Sequence, residues 1–113
     1  MWREARLRTS TLENIFLRSK TIKDRLLEKG WKLNFNPHIA GALKPILFNE
    51  DGTIGEGQNN NEHHWRWDGD ALEVLRADGS VHNRFEYDPD TDRFVSNQPS
   101  AVHGIRGQFI YRD

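Results

Sequence analysis

From Glu62 to Phe94 apolar and polar residues alternate in four short runs separated by turn residues, the period-two pattern of half-buried β-strands. Asp68-Gly69 and Asp78-Gly79 are the first two breaks, and Asp-Gly supplies the positive backbone angles that a two-residue hairpin loop requires. With Asp68 and Gly69 in the loop, Trp67 falls opposite Asp70, Trp65 opposite Leu72 and His63 opposite Val74. With Asp78 and Gly79 in the next loop, Leu72 faces Phe85 and Glu73 faces Arg84. A four-residue loop from Asp88 to Thr91 then sets Phe94 opposite Phe85. Opposed side chains share a face, so Trp65, Leu72, Phe85 and Phe94 are expected to form one apolar row across four strands. The other face carries His64, Arg66, Glu73, Arg84 and Glu86. A slip of one residue would turn the tryptophans to water.

The flanking chain extends the pattern. Trp31, Leu33 and Phe35 alternate with Lys32, Asn34 and Asn36 as a first strand. Pro45 opens a second, Ile46 to Asn49, which Asp51-Gly52 turns back through Thr53 and Ile54 with Gly55 opposite Phe48. Ile105, Gly107, Phe109 and Tyr111 alternate in a last strand that can close the sheet on itself. The segments 36–44, 56–61 and 97–104 are irregular loops. Seven or eight strands with short connections predict a small closed or nearly closed up-and-down barrel, or one strongly curved sheet.

Before the strands the period changes. Ser10-x-x-Glu13 matches a capping box, and Leu12, Ile15, Phe16, Ile22, Leu26 and Leu27 fall within an arc of roughly 140° on a helical wheel. Gly30 ends the pattern, so an amphipathic helix is expected over 10–29, after a basic arm over 1–9. Its apolar stripe either covers the sheet or serves a dimer or partner. Lys23 lies within the stripe, so that face is not expected to be fully dry, and Leu17 opposite it also fits a piece of a larger protein whose missing part packs there. One domain over 10–113 is expected, helix 10–29 followed by barrel 31–112.

At 113 residues with a mean hydropathy of -0.84, the chain affords one aromatic-rich core. It contains no apolar run long enough to cross a membrane and no cysteine, which accords with the cytoplasm. The net charge of -1 conceals an asymmetry: nine Lys or Arg against four acids up to Lys32, and seven against thirteen beyond it. A basic helix against an acidic sheet accounts for this, as does a docking surface for an anionic partner. Nucleic acid is not expected, because the basic residues lie round the helix rather than beside an aromatic sheet face.

Candidate chemistry is sparse. No nucleophile elbow, metalloprotease signature or phosphate loop occurs, so no catalytic residue and no cofactor are assigned. Glu62-His63-His64 has the residue types of a metal site, yet neighbours on a strand point to opposite faces and no metal ligand is assigned. Asp88, Asp90 and Asp92 lack the Gly and distal Glu of a calcium loop. His63, with Asn83 and Tyr87 on its face, is either a core histidine or part of a pocket; as an acid or base it would make the chain a small enzyme. Trp31, Trp65 and Trp67 are core residues or a pocket floor. Beside Gln58 and Asn60, an exposed ring would suit a saccharide, with an aromatic face for C–H groups and amides for hydroxyls.

The series Gly30-Trp31-Lys32-Leu33, Asp51-Gly52-Thr53-Ile54-Gly55, Asn61-Glu62-His63-His64-Trp65, Leu72, Asp78-Gly79 and Arg84-Phe85 resembles small lipocalin-like, calycin-type modules of bacteria. It is similar in particular to short domains associated with polysaccharide-biosynthesis and glycosyltransferase proteins. The resemblance covers about residues 30 to 111 and omits the helix, which could plug a lipocalin cup. It implies a barrel with a glycan-related binding role and supplies no catalytic residue. The leading expectation is a non-catalytic binding domain with a barrel-mouth site for a small polar ligand, formed by the loops 36–44, 56–61 and 97–104. The runner-up is an interaction module acting through the N-terminal helix, on a protein partner or a second copy.

Overall fold

A computed structural model of the chain describes residues 22–96 and 106–112. Its strands are β1 (Trp31–Asn34), β2 (Leu43–Pro45), β3 (His64–Asp68), β4 (Ala71–Leu75), β5 (Val81–Asp88), β6 (Arg93–Ser96) and β7 (Phe109–Arg112). All pair antiparallel in the order β2-β1-β7-β6-β5-β4-β3. The sheet curls into a half-barrel compatible with a lipocalin-like fold. A hairpin from Leu47 to Glu56 spans its two edges: Gly55 N–H donates to Leu47 O at 2.8 Å, Ile54 N–H to His63 O at 3.1 Å, and Trp65 N–H to Gly52 O at 2.9 Å.

The expected apolar row is buried: Trp65, Leu72, Phe85 and Phe94 join Trp31, Leu33, Phe48, Ile54, Val74 and Ile110 in one core. The pairing within it differs from expectation in a regular way. Asp68 pairs with Ala71, Trp67 with Leu72 and Trp65 with Val74, so the loop is Gly69-Asp70. Gly69 takes the positive φ of 60° at the first central position, as a type II′ turn requires. Likewise Tyr87, not Phe85, faces Phe94, and Phe85 faces Ser96. Both shifts are of two residues. Because side chains alternate with period two, such a shift changes partners and leaves every side chain on its face.

Between β4 and β5 the expected pairs Leu72 with Phe85 and Glu73 with Arg84 are present. Nearer the turn the register breaks, since Val74 pairs with Asn83 but Leu75 with Val81, leaving His82 without a partner on β4. The loop has three residues, Ala77 to Gly79, with Gly79 N–H donating to Arg76 O at 2.9 Å and Gly79 at φ 87°. The extra residue is a β-bulge. On the outer face Glu73 accepts from Arg66 Nε at 2.8 Å and from Arg84 Nη1 at 3.0 Å, and Arg84 also reaches Asp68 at 2.6 Å. His64, expected beside Glu73, pairs with Leu75 instead.

Several expected elements are corrected. The second strand is Leu43–Pro45, so Pro45 ends it; Phe48 bridges to Ile54, and Gly55 lies against Leu47 and Asn49 instead of beneath Phe48. Phe35 is 38% exposed, because β1 stops at Asn34 and the chain turns with Phe35 N–H donating to Ala42 O. In β7 the buried side is Gln108 and Ile110, not Phe109 and Tyr111. Ile110 is held inward opposite Phe94 and Leu33, while Arg93 lies 4.9 Å and 5.6 Å over the outward rings of Phe109 and Tyr111. This aromatic face does have a flanking arginine, contrary to expectation, and Arg93 lies opposite Asp88 in the ladder.

Of the helix expected over 10–29, residues 10–21 lie outside the described residues, as do the arm 1–9, Ile105 and the loop 97–104. The described part is helical only over 22–26 and then turns, with Leu27 N–H donating to Asp24 O. Leu26 enters the core, and Trp31 Nε1 donates to Arg25 O at 3.1 Å. Arg25 Nε donates to Asp92 Oδ1 at 2.8 Å and Tyr87 Oη to the same atom at 2.7 Å, tying this turn to the β5–β6 loop.

Gly57 tests the edge closure. A Cβ there would lie 2.3 Å from Pro45 O at a φ of 89°, whereas at Gly69 it would meet open space. Gly57→Ala is expected to cost about 3 kcal/mol or more and Gly69→Ala about 1 kcal/mol, from backbone strain alone. Urea denaturation of the two variants measures the difference.

Candidate functional site

Two cavities frame the question of a site. The larger, about 540 Å³, lies between Ile22, Lys23, Trp67, Ala71 and Tyr87, with Asp68, Asp70, Arg84 and Glu86 at its rim. Its two cations are already engaged, since Arg84 is shared by Asp68 and Glu73, and Lys23 covers Trp67 at 5.9 Å. The smaller, about 360 Å³, is lined by Phe35, Asn36, Lys44, Asn59, Asn61, Glu62, His82 and Gln108. Two of the loops expected at the barrel mouth, 36–44 and 56–61, meet here.

Local sequence builds this second site. Asn59 Oδ1 accepts from the N–H groups of Asn61 at 2.8 Å and Glu62 at 2.7 Å, an Asx turn that orders the Asn-rich loop. Asn36 Oδ1 does the same for His38 N–H at 3.1 Å in the facing loop. The bulge in β5 then brings in His82. Simple alternation puts His82 on the outer face with Arg84, but it is 6% exposed and borders the cavity, since a bulge re-aims the side chain at the extra residue. Lys44 enters from β2 on the face of its partner Leu33.

Glu62, 4% exposed, is the centre of the cluster. Its Oε1 lies 2.7 Å from Lys44 Nζ and accepts from Asn59 Nδ2 at 3.4 Å, and its Oε2 lies 3.5 Å from His82 Nε2. Burial pushes the His82 pKa below 6.5; Glu62 opposes the shift, while Arg76 and Lys44 reinforce it. The ring is therefore neutral at pH 7. A carboxylate can only accept, so the ring proton sits on Nε2 and Nδ1 keeps its lone pair. Among the described residues, His82 Nδ1 and Asn34 Oδ1 are the buried side-chain atoms without a hydrogen-bond partner. Gln108, 3% exposed, closes the wall: its Nε2 donates to Phe35 O at 2.9 Å and its Oε1 accepts from Asn83 Nδ2 at 3.0 Å.

The residues singled out from sequence are dispersed. Trp31 and Trp65 are core, the latter donating to Asn49 O at 2.9 Å, and Trp31 also borders a third cavity of about 360 Å³ between Lys29, Pro45 and Glu56. Trp67 and Tyr87 border the larger cavity. Asn83 stands behind Gln108 and does not itself line the smaller one. In the 56–61 loop, Gln58 Nε2 donates to Ile54 O and Asn60 O accepts from Ala77 N–H. His63 lines neither cavity; it precedes β3 and lies against His64, with Nδ1 atoms 2.7 Å apart. Glu62, His82, Lys44 and Gln108 were not legible as one site. The only sequence sign was a carboxylate and a basic side chain at positions that alternation assigned elsewhere.

Among the described residues no group of three or more His, Asp or Glu side chains could hold a metal ion. No helix among them is long and apolar enough to cross a membrane. Comparison with protein-family models, curated proteins and solved structures gives no match to this chain.

Two stability measurements test the cluster. Lys44→Met leaves Glu62 buried without its cation and is expected to cost about 2–3 kcal/mol, below the roughly 3–5 of a dry interior because the cavity is open. For His82 the depressed folded pKa means that the unfolded chain binds the proton first. Its contribution is complete above pH 6.5 and declines as pH falls from there to the folded value. His82→Gln should remove that part of the decline, read as the difference between the two stability profiles in urea.

Proposed function

We propose that this chain is a binding module whose ligand is small, polar and uncharged, a saccharide foremost, held at the mouth between the loops 36–44 and 56–61. The observation that carries the reading is the self-neutralised Glu62–Lys44 pair at 2.7 Å in the wall of the 360 Å³ cavity. Because each ion answers the other, neither an anionic nor a cationic ligand finds a free countercharge there. What remains for a ligand is hydrogen bonding. Asn59 and Asn61 offer amides to hydroxyls, and the exposed ring of Phe35 offers an apolar face to sugar C–H groups. Neutral amides beside one aromatic ring recognise a polyhydroxylated ring better than a flat apolar molecule.

Amide chemical-shift mapping with a panel of neutral mono- and oligosaccharides tests the reading. A binding sugar should shift Phe35, Asn59, Asn61 and Gln108 together. Phe35→Ala and Asn61→Ala should each weaken it by about tenfold, the value of one ring or amide contact, without changing urea stability. The reading is wrong if no sugar moves these amides, or if charged ligands do so more tightly than neutral ones.

A further inference from the structure

His63 and His64 lie outside both cavities, and their geometry is not that of two ordinary surface histidines. Strand alternation predicts opposite directions for neighbouring side chains, but β3 begins only at His64 and His63 is in the bend before it. The two Nδ1 atoms are 2.7 Å apart, the ring centroids 4.1 Å apart and the ring planes 51° from parallel. Two imidazoles meeting end to end along a linear hydrogen bond would hold their centroids about 5 Å apart. The shorter separation is what two ring axes give when they converge about 2 Å beyond the nitrogens, the length of a metal–imidazole bond.

We propose that His63 and His64 form a two-imidazole site for a late first-row divalent cation, copper(II) above all, with the remaining coordination positions open to water or a second ligand. At bond lengths of about 2.0 Å, adjacent nitrogens of a square or tetragonal complex are about 2.8 Å apart, against about 3.3 Å in a tetrahedron. The observed 2.7 Å fits the former, the geometry of copper(II) and nickel(II). Copper also stands highest in the divalent affinity order for nitrogen ligands. The backbone holds the pair in place: His63 N–H donates to Leu75 O at 2.9 Å, His63 O accepts from Ile54 N–H, and Thr53 bridges to His64. Both rings are half-buried, so a cation can reach them. The Asp51 carboxylate, in the same hairpin, lies within electrostatic reach of His64 and favours positive charge there. For both Nδ1 atoms to bind, the proton between them is carried by solvent to Nε2 of its own ring, which leaves two neutral imidazole ligands.

Calorimetric titration of the full chain with copper(II), nickel(II), zinc(II) and magnesium at slightly alkaline pH tests the site, with the copper visible band and quenching of the adjacent Trp65 as local readouts. One copper per chain is expected, tighter than nickel or zinc, with no magnesium binding. His63→Ala and His64→Ala should each lower copper affinity by about tenfold or more, since a chelate becomes a single ligand. His63→Gln, which keeps a polar side chain in the bend, guards against misfolding and should lose copper equally. His38→Ala should change nothing, and Phe35→Ala, which tests the saccharide reading, should leave copper binding intact. Absence of saturable copper binding, or binding indifferent to both His63→Ala and His64→Ala, would show that the pair only shares a proton.

Discussion

A pleated strand has two sides, and in this sheet one of them carries nearly all the large apolar side chains. Trp65, Leu72, Phe85 and Phe94 lie on consecutive strands, and fully burying each such side chain contributes about 1.5–3 kcal/mol. Turning one row to solvent would therefore cost roughly 6–12 kcal/mol, as much as the whole stability of a typical domain. Slippage by one residue is forbidden on that ground. Slippage by two is not, because it preserves the face and exchanges one apolar partner for another. Which of the permitted registers forms is left to weaker forces, here the glycine that takes the first central position of the β3–β4 turn and the arginines that converge on Glu73.

The polar cavity exists because this regularity is broken once. The bulge between Val74 and Leu75 inserts His82, whose side chain would otherwise join Arg84 in water, and turns it toward Glu62. A buried carboxylate, a lysine and a neutral imidazole then occupy one end of the sheet, beside the buried amides of Asn83 and Gln108. Burial of such groups is costly unless they answer one another. Glu62 is answered by Lys44 and Asn59; one nitrogen of His82 is not answered at all.

The interior itself is full. Leu26, from the short helical turn, and Trp31, edge-on to Phe94 at 5.4 Å, fill the space that a lipocalin-like barrel could use as a cup. The smaller polar cavity consequently lies at the rim, between loops ordered by Asn36 and Asn59. Such loops can vary in sequence without disturbing the core. The dihistidine pair follows the same logic, arising where a strand has not yet begun and alternation does not apply.

Alternation, turn residues and charge placement along the chain determined that it forms an antiparallel curled sheet, that Trp65, Leu72, Phe85 and Phe94 are buried, and that Glu73 lies against Arg84. These follow from the chain itself because each depends on the local period of two and on neighbours joined by short turns. The inward side of β7 and the position of β2 depended on contacts between distant segments: Ile110 against Leu33 and Phe94, and Gln108 against Phe35. The gathering of Lys44, Glu62, His82 and Gln108 was likewise decided only in three dimensions. Those four residues come from separate strands and loops, and a bulge that reverses one side chain leaves no mark in the rhythm of the sequence around it.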